Sequence, residues 1–417
     1  MIVQRDNIGI FGKVNSGKSS LMNLLTQQDC SIVDSMPGTT ADTKITLCEI
    51  HGMGPVKLFD TAGMDEKGGL GEKKRKKAFN DLKECDLILL AIDPGSKDFR
   101  TENEIIAKAR EYDKQLLIIY NLFQNNPNIE SVESGLNYCQ FYKKIELKAV
   151  NTNDRQRLLN FMLSNFESKN KKTALLPFIK SDEYYLLNIP MDEETPPGRY
   201  LRPQAMCEEY ITRNFAFPIS YRMDLKKARG KDYEDEKKRY LDVLNGLKNK
   251  EIKCIITDSQ AIDIISRWTS SGYDITTFSI MMINYMSSGR LKLFVDGIKA
   301  LDGLKQGDKI LIAEACNHSR IAEDIGTVQI PNYIKKHYPG VIIEHSFGRE
   351  FRDDKDLSSY KLIIHCGGCM IDPQKLKARL HDLEALQIPI TNYGIFLAYM
   401  QGKETLRRVL RPWGLDL

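Results

Sequence analysis

Asn7-Ile-Gly-Ile-Phe-Gly12-Lys-Val-Asn-Ser-Gly17-Lys18-Ser19-Ser20 decides the fold of residues 1–168. Its apolar start suits a buried strand, and from Lys18 to Gln28 the chain continues in a helical pattern. Between the two, Gly12 to Ser19 fits the pattern G-x-x-x-x-G-K-[ST], a loop whose inward N–H groups cradle phosphate oxygens where a helix begins. The expected nucleotide-binding residues are therefore Gly12, Lys13, Val14, Asn15, Ser16, Gly17, Lys18, Ser19 and Ser20, joined by Asp60 and Asn121 further along. Lys18 is expected to meet the β and γ phosphates of a nucleoside triphosphate, and the Ser19 hydroxyl to ligate Mg2+.

Outward from this loop, Asp60-Thr-Ala-Gly63 follows an apolar run. It supplies a carboxylate for Mg2+ and the Gly63 N–H for the γ phosphate. Pro37-Gly38-Thr39-Thr40 lies between the first helix and the second strand, where a mobile segment brings the Thr40 hydroxyl to Mg2+ when a γ phosphate is present. Short apolar runs at Leu87 to Asp93, Gln115 to Asn121 and Glu146 to Asn151 alternate with charged helical patterns. Such alternation predicts an α/β P-loop domain on a mostly parallel, doubly wound sheet. A polar stretch, Ser168-Lys-Asn-Lys-Lys-Thr173, then reads as a linker. Residues 174–250 read as a small α/β module and residues 251–417 as a second α/β domain, with a strand expected at Leu291 to Val295 and no internal repeat visible.

The last domain carries a second constellation, Cys316-Asn-His318 and His365-Cys366-Gly-Gly-Cys369, each after a strand-like run. Parallel strands place their C-terminal ends together, where α/β folds hold ligands. Two metal chemistries fit the residues. Cys316, Cys366 and Cys369 with one histidine match a tetrahedral zinc site. The same three thiolates match an iron-sulfur cluster whose fourth iron takes a weaker ligand.

Composition limits the alternatives. Sixty Lys and Arg against 56 Asp and Glu leave +4 at pH 7, so the whole surface is no polyanion binder and nucleic acid is not an expected partner. No apolar run approaches the ~18 to 20 residues of a bilayer span, so no membrane role is expected. The N-terminal Met1-Ile-Val-Gln-Arg-Asp lacks a signal-peptide pattern, and nine cysteines in so long a chain suit a reducing cytoplasm.

Residues 1–168 resemble the translation-factor-like GTPases, especially the Era, EngA and MnmE branch. The resemblance implies that Lys18, Asn15, Thr40 and Gly63 surround the reacting phosphate, with Asn15 holding K+ where other GTPases use an arginine. Met64 stands where Ras-like proteins carry a water-positioning Gln, which implies slow intrinsic hydrolysis stimulated by K+. The branch's Asn-Lys-x-Asp base-reading signature is altered, for Asn121 is followed by Leu122, Phe123 and Gln124. A Gln amide in place of the Asp carboxylate weakens guanine selectivity.

Across the whole chain, the two Cys/His segments with Ile256-Thr-Asp-Ser-Gln260, Thr277-Phe-Ser279 and Thr391-Asn-Tyr-Gly394 resemble the HydF family of FeFe-hydrogenase maturation GTPases. That resemblance implies a 4Fe-4S cluster on Cys316, Cys366 and Cys369, with His318, His365 or Glu323 as the fourth ligand. It also implies GTP as nucleotide and a homodimer formed through the middle module. The implied partners are the radical-SAM maturases HydE and HydG and the apo FeFe hydrogenase. A GTPase with a structural zinc site, acting on RNA or the ribosome, is the alternative reading.

Overall fold

Strand β1 (Asp6–Phe11) is buried along almost its whole length and runs down the middle of a seven-stranded sheet. The computed structural model describes residues 5–26, 34–35, 43–65, 69–123, 129–168, 173–190, 200–246, 251–315, 324–348, 357–369 and 371–417. After β1 come α1 (Lys18–Thr26), β2 (Asp34–Ser35), β3 (Lys44–Ile50), β4 (Gly54–Asp60), α2 (Gly69–Glu84) and β5 (Leu87–Ile92). The unit continues through α3 (Arg100–Glu111), β6 (Gln115–Asn121), α4 (Ile129–Gly135), β7 (Lys143–Leu147) and α5 (Asp154–Asn165). The sheet order is β2-β3-β4-β1-β5-β6-β7, parallel except where β3 meets β4 and β2. Leu21, Leu25 and Leu158 pack on one face of the sheet, and Leu82, Ile105 and Ala109 pack on the other. Both faces are therefore dry, which explains why β5 is six apolar residues without alternation.

The chain divides into two compact units, Ile2–Lys171 and Lys172–Leu417. The second unit begins with β8 (Tyr184–Asn188), α6 (Arg202–Arg213), β9 (Phe217–Tyr221), α7 (Leu225–Arg229), α8 (Tyr233–Gly246), β10 (Ile252–Thr257), α9 (Ile262–Trp268), β11 (Asp274–Thr277) and α10 (Phe278–Met286). It continues with α11 (Leu291–Gly297), β12 (Lys309–Glu314), α12 (Ile330–His337), β13 (Ile342–Phe347) and β14 (Tyr360–His365). It closes with α13 (Pro373–Ala385), β15 (Ile390–Asn392), α14 (Tyr393–Met400) and α15 (Lys403–Leu410).

These strands form two four-stranded sheets, β11-β10-β8-β9 and β13-β12-β14-β15. Every pair in both is parallel. Numbered within its own sheet, each reads fourth-third-first-second, so the two sheets share one topology although no repeat is visible in the sequence. In each, the first and third strands mark the switch point where successive crossovers diverge, the place where open α/β sheets hold ligands. The expected division at residue 250 falls inside the first of these sheets, because β10 pairs with β8 in register from Cys254↔Tyr185 to Thr257↔Asn188.

One expected strand is a helix. Leu291-Lys-Leu-Phe-Val295 alternates enough to resemble a strand, but Leu291, Phe294, Val295 and Ile298 are all buried, which is the i, i+3, i+4, i+7 pattern of α11 and the turn that follows it. No helix among the described residues is long and apolar enough to cross a membrane.

Candidate functional site

The phosphate loop begins where β1 ends, between the C-terminal ends of β4 and β5. Its two framing glycines are there for lack of space. A Cβ on Gly12, whose φ is +149°, would lie 2.4 Å from the Ala91 carbonyl oxygen, and one on Gly17, at φ +89°, would lie 1.9 Å from Asn121 Nδ2. Asn15 also has a positive φ of 63°, so its exposed side chain stands at the turn of the loop. Asn121, buried at the end of β6, holds the loop in place. Its Nδ2 donates to the Ser16 carbonyl at 3.2 Å, while its Oδ1 accepts from Ala149 N–H at 2.9 Å.

Of the three expected Mg2+ ligands, Ser19 and Asp60 lie side by side. The Ser19 hydroxyl donates to Asp60 Oδ2 at 3.0 Å, and the buried Asp60 Oδ1 has no hydrogen-bond partner among the described residues. Burial raises the Asp60 carboxyl above its ordinary range, against the Ser19 hydrogen bond and the charges of Lys18 and Lys44. A hydroxyl beside a carboxylate with an unused oxygen fits Mg2+, which prefers such hard donors and keeps several waters. Lys18 is buried and its Nζ donates to the Lys13 carbonyl. Lys13 turns away from the loop, with Nζ 3.3 Å from both Ser96 Oγ and the buried Glu102 carboxylate.

Two features escaped the sequence reading. Met64 is buried in the core beside Phe59 and Leu82, so the position of the missing Gln points inward. Asp65 faces the phosphate loop instead, and its Oδ1 accepts from Val14 N–H at 2.6 Å. An acidic residue directly after the Asp60-to-Met64 run was the available signal. Thr40 and Gln124 lie outside the described residues.

The described part of the second constellation, His365, Cys366 and Cys369, follows β14 at the switch point of the second small sheet, where β12 and β14 end. Cys366 is buried, and its Sγ accepts N–H bonds from Ala315 at 3.2 Å and from Gly368 at 3.4 Å. Gly368, at φ +68°, makes the turn that aims its N–H back at the sulfur. Cys369 is half-buried, and its carbonyl accepts from the Arg202 guanidinium. Cys316, His318 and Glu323 lie outside the described residues, and among the described residues no three His, Cys, Asp or Glu side chains form a metal-holding group. A strand-end sulfur that accepts two backbone N–H bonds fits a cluster ligand, because such bonds stabilise thiolate charge.

His365, expected as a candidate fourth ligand, has both ring nitrogens engaged by the fold. Nδ1 lies 2.7 Å from the Cys366 carbonyl and Nε2 lies 2.9 Å from Arg379 Nη1. A guanidinium only donates, so Nε2 is the acceptor and Nδ1 carries the proton. The imidazole thus props the cysteine loop, with both ring nitrogens engaged by the fold. Asn392 completes the support. Its Nδ2 donates to the His365 carbonyl at 3.3 Å, and its Oδ1 accepts from Ser279 Oγ at 3.3 Å and from Gly394 N–H at 2.8 Å. Elsewhere, burial pushes the Cys85, Cys207 and Cys254 thiols well up, as expected of inert core cysteines.

Two family models match the chain. Residues 7–122 match a model described as 50S ribosome-binding GTPase, and residues 292–412 match one described as hydrogen maturase F tetramerization domain. The tRNA modification GTPase MnmE of Lactobacillus gasseri is 40% identical over 114 residues, covering 26% of this chain and 24% of its own length. GTPase Der of Nitratiruptor sp. is 31% identical over 125 residues, covering 30% of this chain and 27% of its own length. The chain therefore spans about a quarter of the length of these curated relatives. Among solved structures, Era of Aquifex aeolicus aligns with a TM-score of 0.32 at 22% identity, covering 40% of this chain and 58% of that one.

Proposed function

We propose that this chain, which has the domain architecture of a HydF-like GTPase, is an iron-sulfur scaffold and carrier for the di-iron subcluster of FeFe hydrogenase, switched by GTP. The observation that carries this reading is the Cys366 sulfur, held by two N–H donors at the switch point of a parallel sheet. Ala315, one of those donors, immediately precedes Cys316 in the sequence, which supports a shared site for the two halves of the cysteine set. The 4Fe-4S cluster would be held by Cys316, Cys366 and Cys369, leaving one iron for His318, Glu323 or an incoming precursor. When bound, the cluster supplies an iron through which a precursor attaches without displacing a thiolate. His365, Arg379 and Asn392 fix the loop that carries the sulfurs.

At the other site the loop amides and Lys18 would bind the GTP phosphates, with Ser19, Asp60 and Thr40 around Mg2+, Gly63 N–H on the γ phosphate and K+ on Asn15. Mg2+ spreads the charge that develops on the transferred phosphate. Hydrolysis here acts as a switch. The buried Met64 offers no group to orient water, so turnover is slow without K+. The name of the family matched at residues 292–412 supports a homo-oligomer, and HydE, HydG and the apo-hydrogenase are the proposed partners in a reducing cytoplasm.

Anaerobic reconstitution with iron and sulfide, followed by metal analysis and EPR of the reduced protein, tests the reading. It expects about four irons per chain and a reduced 4Fe-4S signal. One tightly held zinc with no paramagnetic signal would overturn it. Lys18→Ala is expected to abolish GTP hydrolysis, and unchanged turnover would remove the phosphate-loop assignment.

A further inference from the structure

The peptide group joining Lys13 to Val14 is clamped from both ends. Its carbonyl accepts from Lys18 Nζ, and its N–H donates to Asp65 Oδ1 at 2.6 Å. Lys18 is the residue that meets β and γ phosphates, so the carbonyl it touches marks the γ end of the site. An anionic side chain from the segment after β4 therefore holds a loop N–H where a phosphate oxygen is due. The approach is close, since a Cβ on Gly63 would lie 2.2 Å from Val14 Cγ2 and 2.7 Å from Val14 N. Met64, between Gly63 and Asp65, turns into the core, and that anchors the segment so that Asp65 turns to the loop.

We propose that Asp65 is a selectivity residue that discriminates the triphosphate from the diphosphate, its carboxylate standing in for the γ phosphate until GTP displaces it. The proposal rests on the GTPase reading above. A diphosphate leaves the γ position empty, so Asp65 keeps its bond to Val14 and the segment after Gly63 stays docked. A γ phosphate brings negative charge to the same N–H. Like charges at hydrogen-bond separation cannot share one donor, so the carboxylate leaves Val14 and the segment from Asp65 shifts, while the Gly63 N–H stays to meet the γ phosphate. Asp65 thereby lowers the affinity for GTP relative to GDP and ties the position of this segment to the presence of the third phosphate.

The test measures binding of GDP and of a non-hydrolysable GTP analogue, with Mg2+, to the full chain and to its Asp65→Ala, Asp65→Asn and Lys18→Ala variants. Asp65→Ala is expected to tighten the analogue about five- to ten-fold and to change GDP less than two-fold. Asp65→Asn, which keeps an acceptor for Val14 but not the charge, is expected to fall between Asp65→Ala and the parent chain. An unchanged ratio of the two affinities, or weaker analogue binding in Asp65→Ala, would overturn the proposal. The exposed side chain at 65 leaves the core untouched, and matched thermal melting curves confirm that the variants fold. Lys18→Ala separates the two levels of argument: if it weakens neither nucleotide, the phosphate-loop reading fails and takes this proposal with it.

Discussion

The two small sheets of the second unit share a strand order and treat their switch points in opposite ways. In the first, Asn188 at the end of β8 and Thr257 at the end of β10 are wholly buried, and Asn188 Nδ2 donates to Thr257 Oγ1 at 2.9 Å. The two side chains bond directly to each other, while the buried Asn188 Oδ1 has no hydrogen-bond partner among the described residues. In the second, the corresponding strand ends lead to Ala315 and to Cys366, and the backbone of one points its N–H at the sulfur of the other. One topology thus produces a side-chain joint or a thiol held by backbone donors, depending on whether the end residues bond to each other or leave a soft anion-forming group between donors. The strand order sets where a ligand can be held; the end residues set whether one is.

The largest test of that contrast is Cys366→Ser. Iron content after anaerobic reconstitution should fall from about four to below about one per chain, while GTP hydrolysis stays within about two-fold. Full iron loading in the variant would mean that the second switch point is a joint like the first. Next comes Arg379→Met, which leaves His365 Nε2 buried without its donor; urea unfolding should show a loss of about 2–4 kcal/mol, and an unchanged midpoint would deny that His365 is a prop.

Asn188→Ala sharpens the other side of the comparison. It removes half of the joint and should cost about 1–3 kcal/mol, with reconstituted iron unaltered. Iron loss there would mean that the two switch points are not independent. The smallest effect belongs to Asn392→Ala. This change deletes the N-terminal cap of α14 and the bond to the His365 carbonyl, for about 1–2 kcal/mol by thermal unfolding. A broadened cluster EPR signal without iron loss is the accompanying expectation.

Much of the first unit was legible because its signals are local. Gly12, Gly17 and Lys18 sit at fixed spacing after an apolar run, and the strand, loop and helix follow where that spacing puts them. The second unit was less legible. Leu291 to Val295 has an alternation that suits either period, and only burial of Phe294 together with Val295 and Ile298 decides for a helix. The short strands β9 and β11 carry Pro218 and Thr-rich ends rather than an apolar run, so their pairing had to come from neighbours. His365 reads as a candidate ligand because it adjoins Cys366; its engagement by Arg379 comes from a helix that no spacing rule connects to it.

The sequence alone determined the phosphate loop, the alternating α/β order and the identity of the cysteines, since each depends on consecutive residues or on a period along one element. Tertiary structure alone decided that two sheets repeat one topology, that His365 props the loop while Cys366 receives N–H donors, and that Asp65 rather than residue 64 meets the phosphate loop. Those outcomes are contacts between residues far apart in the chain, as Ala315 is from Cys366 and Val14 from Asp65. Folding selects such contacts by burial and shape, which no local pattern encodes.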